Sequence, residues 1–591
     1  AWDRQYHAVF VELDEGMTAS VFEKSSEPFI DLHYGEGINR LKRDGATADE
    51  NGRFINLKLV PLKDVHFANF KNGFVEVSRS RPYLIFGIAL LILFIACVNY
   101  INMSIAKTAK RLKEIGMRKT LGAQKQQLFF QFWSESLFVF LLSITIGVVL
   151  SAVFLNDFKS MFNTQISSEL LLSPVFLIGL LLTVLVITMI VGGYPALLMS
   201  RLGTIQSLKG KLESSGSNKV RNVLMVFQFG IAILMIVGTL VLWGQIDYMR
   251  NKDLGFDKEQ VVSFPLNGKR NSHDMVELLR DELSGNPDII SVSGSDSNLG
   301  LGKDGGRSSS GIGFEYKGRI VMTNFLVVNH EYIQTLGLNV VAGRSFESAG
   351  DSLGVVINEA MSKELGEQDP LVSQLEIDDG VFYPVYGVVK DYNFTDLDRE
   401  IAPMTFFMSR QQNLTYGFVK VSPANMANSF AAIESAWKKL EPNAEFLGSF
   451  VDENIDRTFK QEKTTAKMIA SGSIIAILLS CMGLFAMSLL IVSQRTKEIG
   501  IRKVVGASVT SITYILTKDF LKLVLIAFVI ASPIAWWAMR EWLQNYAYKI
   551  ELSIWYFVAA GALALIIAFL TIGTRTVRAA RANPVKSLRT E

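Results

Sequence analysis

Seven apolar stretches in this chain are each long enough to cross a membrane as a helix. The hydrocarbon core of a bilayer is about 30 Å thick and an α-helix rises about 1.5 Å per residue, so about 20 apolar residues are needed. The predicted spans are Pro82 to Ala106, Leu128 to Leu155, Pro174 to Met199, Asn222 to Gly244, Met468 to Ser493, Ile515 to Met539 and Ser553 to Gly573. The sequence therefore predicts a polytopic α-helical membrane protein.

The charges of the short loops predict which ends of the spans face the cytoplasm, because Lys and Arg accumulate on that side. Net charges of +6, +4, +3 and +4 fall on residues 107–126, 200–221, 494–510 and 574–591, against −1 and 0 on 156–173 and 540–552. The two long segments, 1–81 and 245–467, are then predicted to lie outside the cytoplasm.

A basic motif, which we call the phrase, occurs twice, each time after an apolar span and on the predicted cytoplasmic side. KEIGMRKTLGA at 113–123 returns as KEIGIRKVVGA at 497–507, and nine of thirteen positions are identical between 111–123 and 495–507. The match continues without gaps at an offset of 384 from about Ile85 to Ser136, and RLGTIQSL at 201–208 matches RANPVKSL at 581–588. These matches indicate an internal duplication.

The segment 245–467 is predicted to be a folded α+β domain. Runs rich in β-branched and aromatic residues predict strands at QVVSFPL, IISVSG, RIVMTNFLVVN, GVVIN, FYPVYGVVKDYN, MTFFM and TYGFVKV, and helices are predicted at 272–285, 357–365 and 424–440. The Gly- and Ser-rich run at 293–313 is predicted to be a mobile surface loop.

The segment 1–81 resembles the end of that domain, since HAVFVELDEGMTASVFEKS matches the strand and helix of YGFVKVSPANMANSFAAIES. A complete duplication would have eight spans. We therefore expect Ala1 not to be the biological start, with a first span and most of a first domain preceding it.

The repeated phrase is predicted to form a short amphipathic helix. Glu114 and Arg118 are a favourable i,i+4 pair, Ile115, Leu121 and Ala123 are expected on the apolar side, and Gly122 is expected to end the helix. An alternative is that these basic residues only satisfy membrane topology and bind anionic lipid. That alternative explains the charge but not the repetition of uncharged glycines.

Glu135 and Asp519 occupy equivalent places, each near the cytoplasmic start of the span after its phrase. One interpretation is that the positive end of the helix dipole favours a carboxylate there. The other is that each carboxylate contacts a basic residue of its own phrase and supports it.

Several function classes receive no support. The GxGxxG match at Gly300, Gly302 and Gly305 is followed by GRSSSG rather than a helix, and no GxxxxGK(S/T) motif occurs. The five histidines lack HExxH spacing, and Cys97 and Cys481 lie in apolar runs, so no catalytic or metal-binding residues are predicted. A net charge of +3 over 591 residues argues against a nucleic-acid partner.

Several segments together are typical of one family: the two phrases, the terminal ANPVKSL, and RNVLMVFQFGIAILM, KDLGFDKEQVV, VVINEAMSKELG and GVVKDYNF. They resemble the FtsX-like permease family of ABC transporters, in its duplicated, eight-span Bacteroidota branch. That family includes MacB efflux pumps and the lipoprotein-releasing Lol permeases. The resemblance implies α+β extracytoplasmic domains of MacB periplasmic type and a multi-pass location in the bacterial inner membrane. The implied domains are 1–81, the end of a first extracytoplasmic domain; 82–199, a three-span unit with a coupling helix at 111–123; 200–221, a cytoplasmic linker; 222–244, a span opening the second half; 245–467, the second extracytoplasmic domain; 468–573, a three-span unit with a coupling helix at 495–507; and 574–591, a basic tail.

The resemblance also implies that each coupling helix docks on an ATPase. The coupling residues carried over are Lys113, Glu114, Gly116, Arg118, Lys119 and Gly122, with Lys497, Glu498, Gly500, Arg502, Lys503 and Gly506. Two ABC ATPase subunits would bind ATP and Mg²⁺, with none bound by this chain, which is expected not to be an enzyme. A periplasmic adaptor and an outer-membrane channel are further expected partners. The implied function is efflux or mechanotransmission; the alternatives are lipid or lipoprotein extraction and regulation of a periplasmic partner.

Overall fold

The structure, a computed structural model, describes residues 9–43, 46–67, 80–162, 169, 173–201, 215–306, 310–378, 380–394 and 400–581. The chain divides into two compact units. One contains residues 1–79, 247–460 and 545–549, and we call it the α+β unit. The other, the membrane unit, contains 80–246, 461–544 and 550–591. Most of the predicted linker at 200–221 and of the tail at 574–591 lies outside the described residues.

The described helices are, in chain order, α1 (Ala19–Ser25), α2 (Glu27–His33), α3 (Gly35–Arg43), α4 (Ser80–Lys110), α5 (Leu112–Thr120), α6 (Lys125–Phe162), α7 (Pro174–Val191), α8 (Gly193–Arg201), α9 (Ser215–Asn251), α10 (Ser272–Leu283), α11 (Tyr332–Thr335), α12 (Glu359–Leu365), α13 (Met426–Leu440), α14 (Val451–Thr458), α15 (Lys460–Gln494), α16 (Thr496–Val504), α17 (Val509–Leu543) and α18 (Ile554–Arg581). Within the described ranges, seven helical segments are long and apolar enough to span a membrane: α4, α6, α7 with α8, α9, α15, α17 and α18. The seven predicted spans are confirmed, and α6 extends past its predicted span at both ends.

Small residues let the helices of the membrane unit approach closely. Ala527, Ala531 and Ala535 recur every four residues along α17, and Ala560, Ala564 and Ala568 do so along α18, all buried in one apolar cluster. Helices in lipid gain stability from close van der Waals packing, which small side chains permit. This spacing therefore explains why the last two spans pack along their length.

The equivalent helices of the two halves, α4 and α15, pack against each other with unequal side chains. Positions 88 and 472 are equivalent at the offset of 384, and a Cβ added at Gly472 would lie 3.2 Å from Ile88 Cγ2. Ile95, Ala232, Met235 and Ala476 form a buried cluster there. At this contact the first half supplies Ile88 where the second half supplies Gly472.

Three amide side chains lie inside this helix bundle, where an unpaired polar group is costly. Asn99, Asn102 and Gln228 are buried. However, Asn99 Oδ1, both polar side-chain atoms of Asn102 and Gln228 Nε2 accept or donate no hydrogen bond within the described structure. Those four atoms are therefore buried without a hydrogen-bond partner among the described residues.

The α+β unit contains eleven described strands: β1 (Val261–Pro265), β2 (Ile289–Ser295), β3 (Ser310–Tyr316), β4 (Arg319–Val327), β5 (Val340–Gly343), β6 (Val355–Asn358), β7 (Gln374–Asp378), β8 (Val381–Val389), β9 (Met404–Phe407), β10 (Tyr416–Val421) and β11 (Ser449–Phe450). Four form an antiparallel sheet in the order β11-β1-β10-β2. Seven form a mixed sheet in the order β3-β4-β9-β6-β8-β5, with β7 paired to β8. The predicted α+β class is confirmed.

A large apolar core packs inside this unit. It joins both sheets to α10 and α13, and its largest fully buried side chain is Trp437. The Trp437 ring meets Phe264 edge-on at a centroid distance of 5.5 Å, and its Nε1 donates to the Ala444 carbonyl at 3.2 Å. The indole is therefore both packed and hydrogen-bonded, as a buried tryptophan requires.

The Gly- and Ser-rich run at 293–313 is a surface loop only in its middle, where residues 303–305 are exposed and 307–309 lie outside the described residues; at both ends the prediction was wrong. Ser293 and Ser295 belong to β2 and are buried, Leu299 is buried, and residues 310–313 begin β3. Gly300 has φ +71°, and a Cβ there would lie 2.7 Å from the Asn454 main chain. Close main-chain packing, rather than solvation, accounts for that glycine.

The segment before α4 matches its prediction only in part. The helix predicted near residue 20 is present as α1. The strand predicted before it is not formed at residues 9–14, the part of that strand which the structure describes. Its origin as the end of a first domain stays a prediction.

Candidate functional site

The first repeated phrase folds as the short helix α5, which we call repeat helix 1. Its buried face consists of Leu112, Ile115 and Gly116. Ile115 packs with Leu128 of α6 and Met199 of α8. The helix is therefore held against the two spans that follow it by a side chain that is 1% exposed.

Polar contacts fix the other side of repeat helix 1. Arg118 pairs with Glu114 at 2.8 Å and donates to Gln131 Oε1 of α6 at 2.7 Å. Lys119 Nζ donates to the Ser200 carbonyl at the end of α8 at 2.9 Å. Burial, with a smaller contribution from nearby Lys125, lowers the pKa of the Lys119 amine below its usual range. These contacts make the helix a rigid attachment to its spans.

The second phrase folds the same way as α16, which we call repeat helix 2. Ile499 and Gly500 are buried, and Ile499 packs with Ile512, Leu516 and Ala580. Arg502 pairs with Glu498 at 2.7 Å. Both expected i,i+4 pairs are present, with about half of each side chain exposed. The side chains of Lys113 and Lys497, also expected at these sites, lie outside the described part of the structure.

Each repeat helix ends in a glycine with a left-handed main chain. Gly122 has φ +93° and Gly506 has φ +94°, and nothing lies within 4 Å of a Cβ added at either position. The following amides, of Ala123 and Ala507, donate back to the carbonyls of Arg118 and Arg502. Glycine is therefore required by the turn rather than by crowding.

The residue before each terminal glycine projects into solvent. Leu121 is 87% exposed and Val505 is 81% exposed, and one helical turn earlier Met117 and Ile501 are 55% and 56% exposed. The prediction that Leu121 belongs to the buried apolar side was wrong, because the helix ends at Thr120 and the helical period no longer applies. We call Met117 with Leu121, and Ile501 with Val505, the apolar tips. In the sequence, the apolar tips are indicated by an apolar residue at both 121 and 505.

Glu135 and Asp519, the two carboxylates predicted to support the repeat helices, make different contacts. Glu135 Oε2 accepts from Arg111 Nη1 at 2.9 Å, which ties α6 to the residue preceding repeat helix 1. Arg495 stands at the equivalent place before repeat helix 2, yet Asp519 makes no ion pair with any residue that the structure describes. Within the described part of the chain, the expected contact is therefore present at Glu135 and not at Asp519.

This difference predicts unequal effects of neutralising the two carboxylates. Glu135→Gln should speed amide hydrogen exchange in residues 112–120 by roughly two- to fivefold, because a half-exposed ion pair contributes at most about 1 kcal/mol. Asp519→Asn should leave exchange in residues 496–504 unchanged. Exchange measured by mass spectrometry on the full chain in nanodiscs checks both; equal effects in the two halves would contradict the assignment.

The described residues contain no group of three or more His, Cys, Asp or Glu side chains placed to hold a metal ion. Each repeat helix is firmly anchored and carries an exposed carboxylate–guanidinium pair next to an apolar tip. Such a surface can form a specific protein contact, with an apolar centre and a charged rim.

Comparison with known proteins gives the following similarities. A family model described as FtsX-like permease C-terminal matches residues 86–204 and 470–584. The macrolide export ATP-binding/permease protein MacB of Haemophilus ducreyi is 29% identical over 194 residues, 32% of this chain and 27% of that protein. MacB of Bdellovibrio bacteriovorus is 27% identical over 149 residues, 24% of this chain and 22% of that protein. This chain therefore spans about a quarter of those relatives' length. The periplasmic region of MacB from Actinobacillus actinomycetemcomitans aligns with a TM-score of 0.27 and 16% identity over 36% of this chain and 97% of that structure.

Proposed function

We propose that this multi-pass inner-membrane protein, in which an FtsX-like permease C-terminal model matches residues 86–204 and 470–584, is the permease subunit of an ABC transporter with separate cytoplasmic ATPases. One ATPase subunit docks on repeat helix 1 and a second on repeat helix 2. The observation that carries the proposal is the repetition of the whole exposed surface: the Glu114–Arg118 pair beside Leu121, and the Glu498–Arg502 pair beside Val505.

The anchoring of repeat helix 1 supports a role in transmitting force. Ile115, Lys119 and Arg111 each contact a following span, so a push on the exposed side moves the spans rather than only the helix. In this proposal ATP and Mg²⁺ are bound by the ATPases, and this chain supplies no catalytic residue. ATP-driven closure of the two ATPases would displace both repeat helices together.

The motion that ATP hydrolysis produces acts on the periplasmic side of the membrane. We assign to the α+β unit the task of moving a substrate, or activating a partner, in the periplasm, as in MacB-like efflux by mechanotransmission. An adaptor and an outer-membrane channel are the partners that export of this kind requires. Extraction of a lipid or lipoprotein and regulation of a periplasmic enzyme share the same docking step and differ only in what the α+β unit contacts.

Charge reversal on the repeat helices tests the docking step. The double variant Arg118→Glu and Arg502→Glu should lose at least about tenfold in ATPase affinity, because each change removes a charge-assisted contact and places two carboxylates one helical turn apart. The measurement is binding to the full chain in nanodiscs of ABC ATPases from the same genome, purified one at a time.

The matched control for that experiment is Arg540→Glu, the same change near the end of α17, in a segment predicted to face the other side of the membrane. It should leave affinity unchanged. Undiminished binding of an ATPase to the double variant would exclude docking through these helices.

A further inference from the structure

A polar cavity of about 130 Å³ lies in the first membrane half, enclosed by α4, α6 and α8. Its polar lining residues are Tyr100, Ser104, Lys107, Arg111, Glu135 and Ser136. Lys107 and Arg111 lie one turn apart near the end of α4, on the side of the membrane that the loop charges place in the cytoplasm. The cavity is therefore at the level of the lipid headgroups of that leaflet.

The duplicated half has apolar side chains at three of the six equivalent positions, while Ser488, Arg495 and Asp519 keep the other three polar. Tyr100, Lys107 and Ser136 correspond, at the offset of 384, to Leu484, Ile491 and Phe520. Leu484 and Phe520 are 1% and 4% exposed in an apolar cluster against which Ile491 packs. Because the second half packs apolar side chains at these three positions, the fold does not require Tyr100, Lys107 and Ser136 of the first half.

The charges lining the cavity favour an anionic ligand. Arg111 is already paired with Glu135, whereas Lys107 has no ion-pair partner among the described residues. An ammonium group offers three hydrogen-bond donors, and Arg111 retains others. Phosphate oxygens are the acceptors that such a set of donors binds most strongly.

One wall of the cavity opens onto the lipid-facing surface of α6. Val139 lines the cavity and is 45% exposed. Phe138 and Leu142 on the same helix are 69% and 54% exposed, as is usual for side chains that contact acyl chains. A ligand with its phosphate in the cavity can therefore extend hydrocarbon along α6.

We propose that this cavity binds the phosphate of a phospholipid from the cytoplasmic leaflet, between Lys107 and Arg111. The site is present in one half of the duplicated chain. It borders the Arg111–Glu135 pair that supports repeat helix 1, so an occupied cavity strengthens the attachment of that helix to α6. The proposal is independent of whether an ATPase docks there.

Native mass spectrometry of the full chain, released from nanodiscs containing phosphatidylglycerol, tests the proposal. The wild-type chain should retain one phosphatidylglycerol that Lys107→Gln retains about tenfold less, because one charged hydrogen-bond partner is removed. Ser136→Phe, which introduces the residue of the second half, should lose the same lipid by filling the space. The control Lys125→Gln changes an exposed lysine outside the cavity and should retain the lipid.

Two outcomes would overturn the assignment. Equal retention by the wild-type chain and Lys107→Gln would show that the cavity holds no phospholipid. Displacement of the lipid from the wild-type chain by excess inorganic phosphate would make this a site for free phosphate instead. Lys107→Gln leaves the packing of the cavity intact, so the test does not depend on whether Ser136→Phe folds.

Discussion

Replacing Leu121 and Val505 together with aspartate should weaken ATPase binding at each repeat helix by at least about thirtyfold. The two side chains are 87% and 81% exposed in the isolated chain, and burying a Leu or Val in a partner stabilises the complex by roughly 2 kcal/mol. Aspartate also brings a charge that must lose its water at the interface. Binding of a purified ABC ATPase to the full chain in nanodiscs measures the effect.

The control is the pair of conservative changes Leu121→Met and Val505→Ile, which keep an apolar tip and should bind normally. Leu121 and Val505 do not contact the buried faces formed by Ile115 and Ile499, so substitutions at these two positions should leave the repeat helices folded. Normal ATPase binding by the aspartate variant, with weaker attachment of residues 112–120 to lipid, would instead assign the tips to the membrane surface.

Trp437→Ala should lower the free energy of unfolding of the α+β unit by about 3–5 kcal/mol. The side chain is fully buried, contacts Phe264 and donates to the Ala444 carbonyl, so the substitution leaves both a cavity and an unpaired acceptor. Pulse proteolysis of the full chain in urea, with fragments mapped to residues 247–460, measures the change. A transporter that works through this unit should lose activity in parallel.

The control for the tryptophan is Phe382→Ala, which removes another aromatic side chain of the same unit. Phe382 in β8 is 57% exposed, so its loss should cost less than about 1 kcal/mol. Equal destabilisation by the two variants would mean that Trp437 is not the centre of this core.

Features set by local sequence were predictable. The Glu114–Arg118 and Glu498–Arg502 pairs, and the glycines that end both repeat helices, follow from spacing within one or two helical turns. The seven spans follow from length and hydropathy alone. In each case the determining interactions lie within the element, so no knowledge of the rest of the chain is needed.

Features set by distant residues were not predictable. Ser293 and Ser295 are buried because β2 pairs with β10, which places Ser293 opposite Phe418 and Ser295 opposite Tyr416. Glu135 reaches an arginine and Asp519 does not, although both follow the same phrase. Their neighbours differ: Glu135 borders a polar cavity, and beside Asp519 stands the buried Phe520.

The number of ATPase subunits bound per chain tests the central claim most directly. The complexes are measured in nanodiscs by native mass spectrometry without nucleotide, so that the ATPase subunits do not dimerise with each other. The wild-type chain should then carry two ATPase subunits. Leu121→Asp alone and Val505→Asp alone should each leave one subunit, and the double variant none. A single subunit on the wild-type chain, or two on both single variants, would contradict the proposal that each repeat helix docks its own ATPase.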